Sequence, residues 1–363
     1  MPAMNVPHDR IRAQISNILL AWGMAPDLAA TTTEAMAETD LLGVDSHGIS
    51  MLMTYEKRLH EGVLNLTLAP RIERRTACTA LVDGGAGLGH PVSCFAMNLA
   101  VDMAMAEGVG VVGVHRSNHF GAAGVYARIA ARRGAIGLVT SATRGVTMVP
   151  TRGTAPVLGT NPIAFAAPAK RHLPFVLDMA TTTTAANKIK VYNLNEKPLP
   201  PGWVLDAQGQ PVTDSQRGYE IVYDEPEGGL SPLGGTPIMG SHKGYGLAMM
   251  VHILGGTLVG SSFSPIRNRT KNGNEPDDIG HFFMALNPTV FRPPGEFEDD
   301  LDAVIDELHA TPASDPTKPV LVAGEPEDQE RQRRLEHGIP IPPALDAHIR
   351  AICNRSGAQY VLS

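Results

Sequence analysis

EGVGVVGVHRSNHFGAAG, residues 107–124, decides how the rest of the chain is read. Gly108, Gly110 and Gly113 match the spacing of a dinucleotide fingerprint. That fingerprint works only with a strand before its first glycine and a helix after its last. Here the order is reversed. His90 to Glu107 is Ala-rich and reads as a helix, and VGVVGVH (109–115) reads as a buried strand. The expected fold is α/β without a Rossmann unit, and the three glycines are not assigned to phosphate.

Working outward, ALVDG (80–84), AIGLVTS (135–141), PIAFAAP (162–168) and FVLDMA (175–180) are short apolar runs of buried-strand type, and HFFMALNPTVF (281–291) returns to that pattern. A second Ala-rich helix covers 122–133. The first ~70 residues read as helical. One helix spans Pro7 to Trp22 and a second runs from Pro26-Asp27 to Leu42-Gly43. A third is capped by Asp45 or Ser46, carries Leu52, Tyr55 and Leu59 on one face and stops at Gly62. Lys188 to Gly240 is rich in Pro, Gly and Asn and reads as a long irregular excursion of the kind kept for function or for a partner subunit. Ile339 to Ile352 is helical again. The expected organisation is a helical domain of residues 1–75, completed by about 241–275 and 300–363, around an α/β domain of 76–240 with 276–299.

With 43% hydrophobic and 18% charged residues, the 363-residue chain has globular composition. Its net charge of -7 argues against nucleic acid and anionic membranes as partners. Cys78, Cys94 and Cys353 are too scattered for a disulfide framework or a zinc cluster, so a reducing, cytoplasmic setting is expected. The N-terminal segment is amphipathic rather than signal-like. The longest apolar run, GYGLAMMVHILGGTLVG (244–260), is shorter than a bilayer span and reads as a buried helix at a subunit interface. There is no P-loop, HExxH or GxSxG, and His115 and His119 lack a third ligand at metal-site spacing, so no metal is expected.

Three polar clusters lie at the edges of apolar elements. VDSHG (44–48) places Ser46 and His47 where a proton can be exchanged near neutral pH; the alternative is a capping turn. RSNHFGAAG (116–124) puts Asn118 and His119 before small residues and a helix start, where a ligand can approach the backbone; the alternative is a tight turn. LDMATTTTAANK (177–188) ends a strand on Asp178 and continues in hydroxyl residues, which suits either a ligand or an N-cap. LGTNP (158–162) adds Asn161, and GSHKGYG (240–246) sets Lys243 at a helix start as a phosphate or ribose contact or a solvated cation.

Taken together, DSHG (45–48), SNHFGAAG (117–124), LGTNP, LDMAT (177–181), GWVLD (202–206), HKGYGLA (242–248), GHFF (280–283) and GEPE (324–327) span most of the chain. In this order they closely resemble the malate/L-lactate dehydrogenase family of the non-Rossmann type. Its relatives include sulfolactate, ureidoglycolate and diketogulonate dehydrogenases and cyclic imine reductases. The resemblance implies an L-sulfolactate dehydrogenase-like fold, a homodimer, and NAD or NADP as cofactor. It implies that His47 and His119 face the reacting carbon, with His47 the proton donor in reduction, Ser46 and Asn118 beside them and Asp178 within the catalytic group. It places Asn118, Thr143, Asp178, Met179, Ala180, Lys243, Gly324, Glu325 and Pro326 on the cofactor, and Asn161 near the nicotinamide.

One position departs from the family pattern. Relatives usually carry Arg four residues after the histidine of DSHG, and this chain has Met51. Losing a charge-assisted carboxylate clamp costs about 2–4 kcal/mol of binding unless another cation replaces it. Arg144, Lys188 and Arg58 are the candidates. The implied activity is the interconversion of a small 2-hydroxy acid and a 2-oxo acid, with an atypical substrate. Reduction of a cyclic imine or diketo acid, or a non-catalytic ligand-binding paralogue, are the alternatives. A hydrolase built on Ser46 and His47 is the weaker rival, because adjacent residues seldom orient as nucleophile and base. A positive helix end near His47 would disfavour its charged form unless Asp45 or Asp178 offsets it.

Overall fold

The computed structural model describes residues 3–262 and 275–363. Residues 263–274, within the segment 241–275 assigned above to the helical layer, lie outside the described residues. The strands are β1 (Met4–Val6), β2 (Arg71–Arg75), β3 (Thr79–Asp83), β4 (Val109–Ser117), β5 (Ile136–Ser141), β6 (Ile163–Ala167), β7 (Phe175–Met179), β8 (Val204–Leu205), β9 (Pro211–Val212), β10 (Gly229–Leu230), β11 (Ile279–Leu286) and β12 (Ile339–Ile341). The α-helices are α1 (His8–Ala21), α2 (Pro26–Leu41), α3 (Leu52–His60), α4 (Gly89–Glu107), α5 (Ala123–Arg132), α6 (Ala186–Leu194), α7 (Ser215–Tyr223), α8 (Ser241–His252), α9 (Glu296–Ala310), α10 (Glu325–His337) and α11 (Pro343–Ser356).

The main sheet has seven strands in the order β2-β3-β4-β11-β5-β6-β7. β3 and β4 are parallel, with Leu81 opposite Gly113. β11 enters antiparallel between β4 and β5, Phe283 facing Val112 on one side and Val139 on the other. β6 and β7 then reverse twice. The carboxyl ends of β3, β4, β5 and β7 therefore share one edge of the sheet with the amino end of β11. The fold is the expected non-Rossmann α/β type, with helices α4 and α5 covering one face.

The fingerprint glycines serve packing. A Cβ at Gly110 would lie 1.9 Å from the Ala100 carbonyl oxygen, so α4 sits directly on β4. A Cβ at Gly113 would lie 2.6 Å from Val259 on the opposite face, where residues 253–257 cross the sheet. Gly108 ends α4 with φ 90°. Glycine in a strand marks close approach of other atoms, and here it does so on both faces.

A second apolar cluster joins the two ends of the chain: Ile11, Ile15 and Ile18 of α1, Met36 of α2, Leu52 and Tyr55 of α3, and Ile349 and Ile352 of α11. β1 and β12 pair antiparallel within it. Of the segments assigned to this helical layer from sequence, α8 packs against Met148 and Leu158 beside the sheet. The Asp302 carboxylate of α9 accepts the backbone N–H groups of residues 170–172.

Three local expectations are corrected. Arg71–Arg75 is an edge strand whose charges hide any apolar alternation; charged edges discourage pairing with other chains. The excursion 188–240 is ordered around Leu199, Val204, Ile221 and Leu230, with α6, α7 and the small sheet β10-β8-β9. α3 is not capped by Asp45 or Ser46. A single 3-10 turn, Ile49–Met51, precedes it, and the Ile49 N–H is taken by the buried carboxyl of Asp40 at 2.8 Å.

Candidate active site

A cleft of about 530 Å³ runs along the sheet edge where the strand ends converge. Open sheets of this kind bind ligands at the carboxyl ends of their strands. β4 delivers Asn118 and His119, β5 delivers Thr143 and Arg144, and β7 delivers Asp178 and Met179. The α2–α3 connection brings Ser46 and His47 over the opening, and Met51, just before α3, is followed on the same face by Thr54, Tyr55 and Arg58 of α3. Those four follow helical i, i+3, i+4, i+7 spacing, so one face of α3 forms a wall.

At one end of the cleft, the His47 and His119 rings stack with centroids 5.4 Å apart and planes 26° apart. The Ser46 hydroxyl lies 2.7 Å from His47 Nδ1, and the Tyr55 hydroxyl 2.8 Å from His119 Nδ1. Tyr55 is 1% exposed. Burial pushes its phenol well up, so it keeps its proton. When that proton is given to Nδ1, His119 carries its own N–H on Nε2. Burial lowers the pKa of His47. It lowers that of His119 much further, with positive charge on His47, His90, His281 and Arg58 adding to the effect. Both rings are neutral at neutral pH. Neither Asp45 nor Asp178 offsets this for His47: Asp45 is held by Arg334 and Asp178 by the Gly124 N–H at 2.7 Å.

The cleft continues toward the first turn of α5. Asp178 faces it, open to the solvent in the cleft and enclosed on its other sides; burial pushes its carboxyl up to about 6, against the Gly124 N–H and Arg128. A Cβ at Gly124 would sit 2.9 Å from that carboxylate, so glycine keeps the helix start against Asp178. Two buried polar atoms on the lining, Asn118 Nδ2 and Thr147 Oγ1, have no partner among the described residues. An elongated cleft with unsatisfied donors, a carboxylate and a helix amino end fits a dinucleotide.

Of the residues singled out from sequence, Ser46, His47, Met51, Asn118, His119, Thr143, Arg144, Asp178, Met179 and Ala180 line the cleft, as does Arg58. Asn161 is buried behind it: its carbonyl oxygen accepts from the Thr143 N–H and hydroxyl, and its amide donates to the Ala248 carbonyl. Lys188 lies over the Trp203 ring at 5.7 Å. Lys243 is exposed on the first turn of α8. Gly324, Glu325 and Pro326 open α10 outside the lining; Glu325 pairs with His309, and Glu327 is the residue of this turn that reaches the cleft.

Arg58 and Arg144 converge on one buried carboxylate, Asp277, at 2.6 and 3.1 Å. Sequence reasoning missed Asp277, Arg128, Glu327 and Thr147, and took Tyr55 for a packing residue only. Only for Tyr55 was there a signal, a polar aromatic on the helix face that follows His47. Among the described residues no group of three or more His, Cys, Asp or Glu is arranged to hold a metal ion. No described helix is long and apolar enough to cross a membrane.

Residues 6–350 match the model of the malate/L-lactate dehydrogenase family. The chain is 36% identical over 358 residues to a malate dehydrogenase of Pyrococcus abyssi, covering 98% of this chain and 96% of that one. It superposes on the crystal structure of malate dehydrogenase from Entamoeba histolytica with TM-score 0.93 and 30% identity, covering 98% and 99% of the two chains. It superposes on delta1-piperideine-2-carboxylate reductase from Pseudomonas syringae with TM-score 0.82 and 26% identity, covering 96% and 99%. These relatives make the chain an oxidoreductase acting on CH–OH groups. The chain belongs to the malate/L-lactate dehydrogenase family.

Proposed function

We propose that this protein is an NAD- or NADP-dependent dehydrogenase that interconverts a small 2-hydroxy acid and its 2-oxo acid. The observation that carries this is the stacked pair of neutral histidines, each with its own hydroxyl partner, at one end of a dinucleotide-sized cleft. Asp178, Met179, Ala180, Thr143 and Asn118 hold the cofactor, with Asn161 bracing Thr143 from behind. When bound, the nicotinamide supplies or accepts the hydride.

His119 donates its Nε2 proton as a hydrogen bond to the substrate oxygen and polarises the C–O bond without being consumed. His47 moves the proton. In oxidation its neutral ring takes the hydroxyl proton. In reduction the ring takes up a solvent proton and gives it to the carbonyl oxygen, while the Ser46 hydroxyl keeps its own proton and orients the ring through Nδ1. Burial of both rings suits this, since it keeps them neutral and ready as acceptor and donor.

The anionic end of the substrate goes to Arg58 and Arg144. Arg144 pairs with Asp277 through Nε and lines the cleft, and so does Arg58, on the Met51 face of α3. Asp277 presets both guanidinium groups, which lowers the ordering cost on binding. Met51 makes the adjoining wall apolar, which favours a substrate with a non-polar part there; a cyclic imine acid meets that description and is the second reading. The apolar outer face of α8 supports pairing with a second copy of this chain.

The test follows absorbance at 340 nm with NADH and NADPH against 2-oxo acids, diketo acids and cyclic imine acids, using wild type, Met51→Arg and Arg144→Met. Turnover of 2-oxo acids by wild type, with KM raised about 10-fold or more in Arg144→Met, is the expected result. Turnover of imines alone selects the second reading. Cofactor binding with no turnover of any member overturns both.

A further inference from the structure

The turn that carries Ser46 and His47 is held from outside by one buried cation. The Arg334 side chain of α10 is 5% exposed, and the Asp45 side chain it meets is 60% exposed. Arg334 Nη1 donates to the Asp40 carbonyl at 2.7 Å, at the end of α2, and also to Asp45 Oδ1. Nη2 donates to Asp45 Oδ2 at 3.2 Å, and Nε to Glu330 at 2.5 Å. The guanidinium plane thus grips Asp45 with two parallel bonds and spans from helix α2 to the residue directly before Ser46.

The same helix reaches the other end of the cleft. Asp328 accepts two bonds from Arg128 at 3.0 and 3.1 Å, and Glu327 lines the cleft with Asp178. From Asp328 to Arg334 is under two helical turns, a span of about 9 Å. A half-solvated Asp–Arg bridge adds little to stability, and burying a guanidinium has a cost of its own. Its distinct product is geometry: both ends of a rigid helix are bolted, one to the cofactor end and one to the catalytic turn.

We propose that Arg334 is a positioning residue for the reaction: acting through Asp45, it sets the orientation of Ser46 and His47 and ties it to the cofactor end of the cleft. This rests on the reading of His47 as the proton-transfer group. Its consequences are specific. Loosening the turn lets water reach His47 and separates Ser46 from Nδ1, while the cofactor walls stay in place.

The experiment compares Arg334→Met, Arg334→Lys, Asp45→Asn and the double variant Arg334→Met/Asp45→Asn. Readouts are kcat and KM, cofactor affinity from NADH fluorescence, and His47 titration by NMR of labelled imidazole. Expected are a kcat lowered about 10- to 100-fold in each single methionine or asparagine variant, cofactor affinity within about 2-fold, and no further loss in the double variant. Lys restores only part, because an ammonium cannot form the fork. The His47 midpoint rises toward 6.5 in the single variants, and NADH shifts it in wild type but not in Arg334→Met. Additive losses, or an unchanged His47 titration in a folded variant, overturn the proposal. Should Arg334→Met fail to fold, Asp45→Asn, at an exposed side chain, decides alone. The NMR arm needs no turnover, so a wild type inactive on every substrate defeats the functional reading without obscuring the fate of this one.

Discussion

At the scale of single residues the site is a crowd of neutral histidines. Beside His47 and His119 stand His90, 1% exposed with neither ring nitrogen partnered among the described residues, and His281, fixed between Ser141 and Ser117 at 2.9 and 3.0 Å. Burial pushes His90 and His281 down to about 3. A base with a lowered folded pKa binds fewer protons folded than unfolded, so its contribution to stability is complete above about 6.5 and is lost as pH falls toward 3. His90→Leu should therefore flatten the fall in unfolding free energy between pH 6 and pH 4 by about one proton, about 1.4 kcal/mol per pH unit at most. Urea unfolding of both proteins across that range measures it; parallel curves would contradict it. In the proposed mechanism the same lowering acts in catalysis. The acid limb of kcat/KM for oxidation should fall below pH 6.5, because His47 must be neutral to accept the proton. His47→Gln should cut kcat about 100-fold while cofactor affinity holds. A limb centred at or above 6.5 would show that another group is titrating.

At the scale of elements, the α2–α3 connection shows what can and cannot be read ahead of a structure. VDSHG stood out in the sequence and lines the cleft, but nothing there announced Asp40, whose side chain supplies the bond to Ile49 that a local cap was expected to make. A Cβ at Gly48 would fall 1.8 Å from Asp40 Oδ1, so the glycine of DSHG is there to admit this carboxyl. Burial pushes Asp40 up to about 8, against the Ile49 N–H and Arg334 and with Asp45 adding to it. The folded chain keeps a proton there that the unfolded chain loses above about 4, so this group lowers stability as pH rises from about 4 to about 8. Asp40→Asn keeps an acceptor for Ile49 and removes that titration. It should be more stable than wild type at pH 8 and gain least at pH 4, as read by thermal unfolding at both. The glycines of β4 make the complementary point. The order of helix and strand excluded the fingerprint, but the reason for Gly110 is a contact between elements. Gly110→Ala should destabilise by about 1–3 kcal/mol by prying α4 from the sheet.

Across the whole molecule, legibility followed sequence distance. Runs of apolar residues announced six of the seven strands of the main sheet, because buried strands carry their signal locally; the charged edge strand β2 did not. Arrangements assembled from distant segments left no local trace: Asp277 with Arg58 and Arg144, and Arg334 with Asp45. The helix at 241–257 sits between these cases. Its run of apolar residues read as a buried interface helix, and in the chain only one side is covered. Gly244, Ala248 and Val251 are buried, while Met250, Ile253 and Leu258 are 36%, 51% and 64% exposed. From Gly244 to Gly260 the sequence holds no Asp, Glu, Lys or Arg, so beyond His252 and the Thr257 hydroxyl the outer face offers water little to solvate. An exposed helix face that is mostly apolar on a folded chain is the mark of a protein surface that meets another. Ile253→Asp combined with Leu258→Asp should then halve the mass seen by light scattering, from twice the chain mass to once, and leave the inward face of the helix and the sheet beneath it folded by circular dichroism. Wild type already at the single-chain mass would reject the dimer, and a double variant that keeps the doubled mass would move the interface elsewhere.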